Sequence, residues 1–354
     1  MNNLKYLIIL VFVVLAVISI YLYVKNHVVL LTENENKSRN ALDDKNTSYD
    51  TNPLSIVAMR NKSYPGSNLK IEQTLSSGTN YNQYIASYKS DNLTIYGLLT
   101  VPDGQKPKNG WPLIVFNHGY IAPETYVTTQ RYVAYVDEFA RNGYIVFKPD
   151  YRGNGNSQGN PEGAYYSPGY ATDVLNAVAT LKEYKDANPQ KIGMWGHSMG
   201  GNITLRDIVV DTKDIKAAVI WGGVVGSYND LMNNWHRTNR FTPSQREIAT
   251  RNSTRKKFTD IYGTPQQNPT FWNAIDPTYF ISDITTPIQL HTGGNDEEVP
   301  PAFSVGLEQK LKNAGKTVEY YNYPGGDHNI SSPNFELAMQ RSLDFFNKYL
   351  KGGE

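Results

Sequence analysis

Residues 195–201 read WGHSMGG, and this stretch decides the fold because it joins an apolar run to a helical run through one short turn. Gly196 and Gly200 stand two residues on either side of Ser198. Glycine at these positions permits a sharp strand-to-helix turn, since a side chain there would collide with the neighbouring strand or the helix start. The pattern predicts that Ser198 projects from the end of a strand, although it also fits an ordinary glycine-rich turn.

Apolar runs of strand length alternate with helical runs on both sides of this turn. The predicted strands are NQYIASYK, LTIYGLLTVP, PLIVFNHG, YIVFKPDYRG, KIGMWG, KAAVIWGG, TPIQLHTGG and TVEYYNYPG. The predicted helices are RYVAYVDEFARNG and residues 169–185, 199–210, 302–313 and 334–349. Short buried strands that alternate with helices imply an α/β fold with a mostly parallel central sheet and helices on both faces.

We expect this alternation to form one catalytic domain over residues 81–354. Residues 226–280 interrupt it with a polar, partly helical insertion that carries two tryptophans. The insertion is predicted either as a cap over a site or as a helical excursion that packs on the sheet without touching a substrate.

The composition of the 354-residue chain narrows its chemistry. It is 40% hydrophobic, which is enough for a sizeable core, and its 34 basic and 33 acidic residues leave a net charge of +1. This balance offers nucleic acid no electrostatic footprint, so no nucleic-acid partner is expected. The chain contains no cysteine, which excludes disulfides, thiolate metal sites and a thiol nucleophile.

An uncharged apolar stretch lies near the amino terminus, at residues 6–24. As a helix it would be about 28 Å long, against a hydrocarbon core of about 30 Å. It ends in IYLY rather than in the small residues that precede a signal-peptidase site. Residues 1–27 are therefore predicted as a cytoplasmic tip and an uncleaved transmembrane signal anchor in the lipid bilayer.

One lysine precedes this single-pass anchor, and three basic residues follow it by position 39. The count of positive charges therefore does not favour export of the long domain. A short basic leader before a long apolar segment is typical of a signal anchor, so we expect the catalytic domain to be extracytoplasmic. Residues 28–80 are predicted as a polar linker and a transitional segment.

A nucleophilic serine needs a base, and the base needs a carboxylate that fixes its tautomer. In a fold of this kind the chain order is serine, then acid, then histidine. Three histidines follow Ser198: His236 lies in the insertion, His291 falls in a predicted strand, and His328 lies in the polar loop YPGGDHNISSP. His328 is therefore the predicted base.

The acid is expected in the loop NDEEVPP, which follows the strand TPIQLHTGG. Asp296 comes first after the glycine turn and is favoured, while Glu297 and Glu298 remain alternatives. Consecutive acidic residues lack the ligand spacing of a calcium loop, and no other cluster has ligand spacing. No metal site is predicted.

An oxyanion formed at Ser198 needs two preorganised donors. The backbone N–H of Met199 is one candidate, and the N–H of Tyr120, in the stretch NHGY, is the other. His118 in that stretch either shapes the turn or is simply satisfied by backbone groups. Asp150 and Arg152, after another strand end, are predicted as a local ion pair with a structural role.

Five pieces of the chain carry a family resemblance: NHGY, DYRGNGNSQG, GHSMGG, GGNDEEVP and PGGDHN, in that order. From about residue 82 to 350 the chain resembles the α/β-hydrolases. More narrowly, it resembles the catalytic domain of the prolyl oligopeptidase (S9) family and its dienelactone-hydrolase-like esterase relatives. The resemblance implies Ser198 as nucleophile, Asp296 as acid and His328 as base, and it requires no cofactor.

Two departures from the peptidases of that family shape the expected activity. The roughly 50 residues between anchor and sheet are too few for a β-propeller of several blades with about 40 residues each. Met199 stands where those peptidases tend to have tyrosine, and methionine is more typical of esterases. We expect a serine hydrolase of carboxylic esters or small peptide amides. The alternatives are an S9-type peptidase of short peptides and a catalytically inactive surface binding module.

Overall fold

The computed structural model describes residues 49–236 and 245–352. The compact unit that contains the sheet begins at Asn52. Residues 6–24, predicted as the membrane anchor, lie outside the described part. Among the described residues, no helix combines the length and the apolar character that crossing a membrane requires.

The described strands form a single mixed sheet of nine. They are β1 Lys70–Thr74, β2 Tyr81–Ser90, β3 Leu93–Pro102, β4 Trp111–Asn117, β5 Ile145–Pro149, β6 Ala187–His197, β7 Ile215–Trp221, β8 Ile288–Gly293 and β9 Val318–Tyr323. Their spatial order is β1-β2-β3-β5-β4-β6-β7-β8-β9. Strands β1, β2 and β3 pair antiparallel, as do β3 and β5, and every pair from β5 to β9 is parallel.

Helices cover both faces of this sheet. The α-helices are α1 Ile56–Asn61, α2 Val133–Arg141, α3 Gly169–Lys182, α4 Met199–Val210, α5 Tyr228–Asn233, α6 Gln245–Tyr262, α7 Pro269–Ile275, α8 Pro301–Asn313 and α9 Phe335–Phe346. Short 3₁₀ turns lie at Pro123–Thr125 and Pro277–Asp283, and a π turn follows α9 at Asn347–Lys351.

Strand β4 shows how the apolar pattern makes two cores. Leu113 and Val115 pack with the core that includes α3, α4 and α8, whereas Ile114 and Phe116 pack with the core that includes α2 and α9. Successive residues of a strand point to opposite faces, so a continuous apolar run requires cover on both. The predicted α/β-hydrolase architecture, with a mostly parallel sheet between helical layers, is confirmed.

The folded unit extends further toward the amino terminus than the predicted boundary at residue 81. Helix α1 buries Ile56 and Met59 and packs on α4, and β1 adds an edge strand. All five residues of β1 have exposed side chains, so no apolar alternation marked it. Few apolar residues suffice to attach a short helix and an edge strand to the domain. The segment therefore has a mostly polar pattern, which predicted a linker.

The insertion at residues 226–280 is partly helical, as predicted. It contains α5, α6 and α7, and the structure describes it except for residues 237–244. Phe271 and Trp272 of α7 are buried, and the Trp272 indole N–H donates to the carbonyl of Gly263. This part of the insertion therefore has its own apolar packing.

Candidate active site

The turn between β6 and α4 consists of Ser198 alone. Its backbone lies at φ 55° and ψ −118°, a strained conformation for a residue with a side chain. A Cβ on Gly196 would come within 2.4 Å of the Gly200 carbonyl oxygen, and a Cβ on Gly200 within 1.9 Å of the Asn117 carbonyl oxygen. Both glycines of the motif are therefore required by contact, and they hold Ser198 at the carboxyl end of the central strands.

Asp296 and His328 meet although 32 residues separate them. Asp296 follows β8, His328 follows β9, and the His328 Nδ1–H donates to Asp296 Oδ2 at 2.8 Å. The Asp296 side chain is fully buried and that of His328 is 7% exposed. A carboxylate can only accept, so Nδ1 carries the proton and Nε2 keeps its lone pair, as a general base requires.

The loop that carries the acid, residues 294–300, is folded around the carboxylate. Asp296 Oδ1 accepts the backbone N–H groups of Glu298 and Val299 at 2.9 Å each. Both oxygens of Asp296 are therefore used, one to hold its own loop and the other to hold His328. The neighbouring Glu297 and Glu298 make no such bond to His328 Nδ1 in the described structure.

Ser198 and His328 lie around the same short segment of chain. The Ser198 N–H donates to the Trp221 carbonyl, and a Cβ on the next residue, Gly222, would come within 3.1 Å of His328 Nδ1. Within the described residues, no hydrogen bond joins the Ser198 hydroxyl to the His328 ring. Such bonds are often long in unliganded enzymes and tighten when substrate binds.

One predicted oxyanion donor, Met199, adjoins this serine, and the other, Tyr120, belongs to a loop that approaches it. Met199 is the first residue of α4, where backbone N–H groups point out of the helix, and Tyr120 lies two residues beyond the loop's first residue. We call residues 118–132, between β4 and α2, the oxyanion loop. A Cβ on Gly119 would lie 3.2 Å from Ser198 Cβ, so this loop packs closely against the serine turn.

The predicted ion pair between Asp150 and Arg152 is wrong. Arg152 instead forms a forked pair with buried Asp173, 2.8 Å from Nη2 to Oδ1, and also reaches Asp91 at 3.1 Å. These partners are distant in sequence. They meet because β5 runs beside β3 and because α3 packs over the sheet.

Asp150 instead holds the oxyanion loop. Its carboxylate accepts the Tyr126 hydroxyl at 2.7 Å and the Thr128 hydroxyl at 2.6 Å, while the Lys148 ammonium donates to the Gln130 carbonyl at 3.2 Å. Burial raises the pKa of Asp150 to about 6 and lowers the pKa of Lys148 to about 8. Three hydrogen bonds, from Lys148 of β5 and from Asp150 directly after it, thus attach this loop to the sheet.

His118 sits under the same loop. Its ring is buried, stacks on Tyr151 and places Nδ1 2.7 Å from the Gly119 carbonyl. Burial lowers the pKa of His118 to about 3, so the ring is a neutral donor at Nδ1. His118 is therefore bonded to a backbone group within the turn, which fits both interpretations that the sequence allowed.

A second carboxylate faces the base. Glu298 Oε2 lies 3.9 Å from His328 Nε2, the nitrogen opposite the one bound by Asp296, and the Glu298 side chain is 32% exposed. The Trp235 indole donates to the Glu298 carbonyl at 2.8 Å, so the insertion contacts this loop directly. The sequence had offered Glu298 only as a substitute for Asp296.

Sequence reasoning did not single out Tyr132 or assign a role to His197. The Tyr132 hydroxyl lies 2.9 Å from the Gly119 N–H and 2.8 Å from His197 Nδ1. His197 Nε2 lies 3.0 Å from the His328 carbonyl oxygen. No local pattern marks a tyrosine at the end of a 15-residue loop as a neighbour of the serine turn.

The arrangement supplies the parts of acyl transfer: a serine on a strained turn, an imidazole with a free Nε2, a buried carboxylate and a helix start. No group of three or more histidine or acidic side chains able to hold a metal ion occurs within residues 49–236 and 245–352.

Comparisons with known proteins show which family the chain resembles. The sequence model of the prolyl oligopeptidase family matches residues 130–353. An uncharacterized peptidase of Bacillus subtilis (strain 168), YtmA, is 27% identical over 245 residues, which cover 69% of this chain and 85% of the relative.

Two solved structures share the fold. The acylaminoacyl peptidase of Pyrococcus horikoshii, at 21% identity, superposes with a TM-score of 0.61 over 78% of this chain and 43% of its own. An acetyl xylan esterase from Paenibacillus sp. R4, at 17% identity, superposes with a TM-score of 0.63 over 86% of this chain and 95% of its own. This chain thus spans less than half of the first protein and nearly all of the second.

Proposed function

The chain belongs to the prolyl oligopeptidase family and is a serine hydrolase, and on that premise we propose how it works. It hydrolyses carboxylic esters or the amide bonds of small peptides through Ser198, His328 and Asp296. The observation that carries this proposal is the 2.8 Å bond between His328 Nδ1 and the fully buried Asp296 carboxylate, beside the strained turn at Ser198.

The proposed reaction has two halves. Ser198 Oγ attacks the substrate carbonyl carbon while His328 Nε2 takes its proton, and Asp296 stabilises the resulting imidazolium. The N–H groups of Met199 and Tyr120 bind the oxyanion. His328 then returns the proton to the departing alcohol or amine, which leaves an acyl-enzyme. Water, deprotonated by His328, releases the acid and restores Ser198.

A second candidate, cleavage of short peptides with a free amino terminus, is supported by Glu298. Its carboxylate lies 3.9 Å from His328 Nε2, beside the proposed base, and is not hydrogen-bonded within the described residues. A substrate ammonium within about 4 Å would gain a Coulomb attraction worth roughly tenfold in kcat/KM. Glu298→Gln should then lower kcat/KM for alanine p-nitroanilide and spare its N-acetyl derivative.

The experiment that separates the two candidates uses the fragment from Asn52. Its turnover is measured on p-nitrophenyl esters of rising acyl length and on aminoacyl and prolyl p-nitroanilides. Turnover of the esters alone supports an esterase, and comparable turnover of the anilides supports the peptidase. If Ser198→Ala keeps full turnover, the proposed nucleophile is wrong. If the wild type turns over neither class, a binding module is favoured.

We also propose a location. Residues 6–24 anchor the chain in a bilayer, residues 28–51 act as a tether, and the hydrolase domain is extracytoplasmic; the uncharged apolar stretch supports this. Protease treatment of intact cells should remove a carboxyl-terminal tag together with the domain. Protection of the tag in intact cells, with cleavage after lysis, would contradict the orientation.

A further inference from the structure

A chain of three hydrogen bonds links the oxyanion loop to the loop that carries the base. We call residues 324–334, which contain His328, the base loop. The Gly119 N–H lies 2.9 Å from the Tyr132 hydroxyl, the hydroxyl 2.8 Å from His197 Nδ1, and His197 Nε2 3.0 Å from the His328 carbonyl. The chain passes directly behind Ser198, since His197 precedes it.

The two ends of this chain fix every proton in it. A backbone N–H only donates, so the Tyr132 oxygen accepts from Gly119 and its own hydrogen goes to His197 Nδ1. A carbonyl only accepts, so His197 Nε2 carries the ring proton and donates it to His328. This assignment holds when His197 is neutral and Tyr132 is protonated, because each of the three bonds then has one donor and one acceptor.

The surroundings keep both groups in those states. Burial, and second the neighbouring His328 ring, lower the pKa of His197 to about 3, while burial raises the pKa of Tyr132. The two imidazole rings are 4.5 Å apart between centroids. His197 therefore stays neutral when His328 becomes an imidazolium during the reaction.

The backbone is shaped to place the hydroxyl. Arg131 and Tyr132 both adopt left-handed conformations, at φ 57° and 56°, directly before α2. Neither is glycine, so this conformation is strained and has to be held by its contacts. A Cβ on Gly119 would come within 2.6 Å of the Tyr132 hydroxyl and 3.2 Å of His197 Nδ1.

We propose that Tyr132 and His197 are positioning residues that hold the oxyanion loop and the base loop in register around Ser198. The inference deepens the proposed function and depends on it. Tyr132 fixes Gly119, the residue before the proposed oxyanion donor, and His197 fixes the main chain of the proposed base. Neither residue exchanges a proton with substrate.

The test compares single variants with a matched control. Tyr132→Phe and His197→Leu each break the chain and should lower kcat roughly 10–100-fold, with KM changed less than about threefold, because a small misplacement of catalytic groups is costly. His197→Gln offers one acceptor and one donor and should recover at least a third of the kcat lost in His197→Leu. Tyr144→Phe is the control, since the Tyr144 hydroxyl donates to Asn347 Oδ1 at 2.8 Å and Asn347 lies in neither loop.

Two further results distinguish an effect on the positions of the two loops from an effect on the stability of the whole fold. The double variant Tyr132→Phe/His197→Leu should be no more than about threefold slower than the worse single variant, because both break the same chain. The rate of fluorophosphonate labelling, with the adduct mapped to Ser198, should fall in parallel with kcat, while thermal unfolding of Tyr132→Phe shifts no more than that of Tyr144→Phe.

Wild-type labelling at Ser198 with an unchanged rate in Tyr132→Phe would overturn this inference and leave the proposed function intact. Multiplicative losses in the double variant, or an equal loss in Tyr144→Phe, would overturn it as well. If Tyr132→Phe fails to fold, the comparison of His197→Gln with His197→Leu decides. Absence of wild-type labelling at Ser198 would overturn the proposed function itself.

Discussion

Replacing Asp296 by asparagine should remove most of the activity and leave the fold nearly intact. The carboxylate accepts three hydrogen bonds, one from His328 Nδ1 and two from the backbone N–H groups of Glu298 and Val299. Asparagine keeps one oxygen, which can accept both backbone bonds, but it turns an NH₂ group toward His328. The ring then accepts at Nδ1 and carries its proton at Nε2, so it cannot take the proton of Ser198.

The size of each effect follows from these bonds. The wrong tautomer in a serine triad lowers kcat about 10⁴-fold, which is about 5.4 kcal/mol of transition-state stabilisation. The free energy of unfolding should fall by only about 1 to 2 kcal/mol, because one charge-assisted bond is weakened. Asp296→Ala should cost about 2 to 6 kcal/mol, because it also leaves two backbone N–H groups of the loop without their acceptor.

The assay measures kcat on a p-nitrophenyl ester and the free energy of unfolding in urea. The wild type, Asp296→Asn and Asp296→Ala are compared with Glu297→Gln, which removes a neighbouring carboxylate and should keep kcat within a few-fold. If Asp296→Asn retains more than about a tenth of wild-type kcat while Glu297→Gln is inactive, the acid has been assigned to the wrong residue.

Three further substitutions test the surroundings of the site. Gly119→Ala brings a Cβ within 2.6 Å of the Tyr132 hydroxyl and should lower kcat more than about tenfold. Gly306→Ala, whose Cβ meets nothing within 4 Å, should leave kcat nearly unchanged. Equal losses of kcat in the two variants would contradict a requirement for glycine at position 119. Arg152→Leu leaves the buried Asp173 carboxylate without its ion-pair partner and should lower the free energy of unfolding, measured in urea, by about 3 to 5 kcal/mol. A loss under about 1 kcal/mol would show that this ion pair does not stabilise the fold. Burial lowers the pKa of Lys148 to about 8, so the unfolded chain binds more protons than the folded chain between pH 8 and 10.5, and the free energy of unfolding should rise by about 3 kcal/mol over that range. Lys148→Met should abolish that rise, and persistence of the rise in urea titrations of Lys148→Met would refute this cause.

Much of the fold was predictable because the sheet is buried on both faces. The run of β4, PLIVF, is apolar at consecutive positions, and such runs alternate with helical periods up to the carboxyl terminus. Every predicted strand and helix is present, and the predicted membership of the α/β-hydrolases and the S9 family is confirmed. Strand β1 was missed because its side chains are all exposed.

The candidate site was also predictable only in part. The glycines around Ser198, and the loop positions of Asp296 and His328, are local features, and the structure joins Asp296 to His328 as the chain order suggested. Their catalytic roles stay a prediction. The contacts of Tyr132 and the pairing of Arg152 with Asp173 were not predictable, because each depends on how elements far apart in sequence pack.

Locating the site of covalent acylation is the most direct test of Ser198 as the nucleophile. The folded domain is incubated with a fluorophosphonate probe or a slowly deacylating p-nitrophenyl ester, digested, and analysed by mass spectrometry. We expect one modified peptide, with the added mass on Ser198, and no modification in Ser198→Ala. Modification of another residue, or steady turnover by Ser198→Ala, would contradict it.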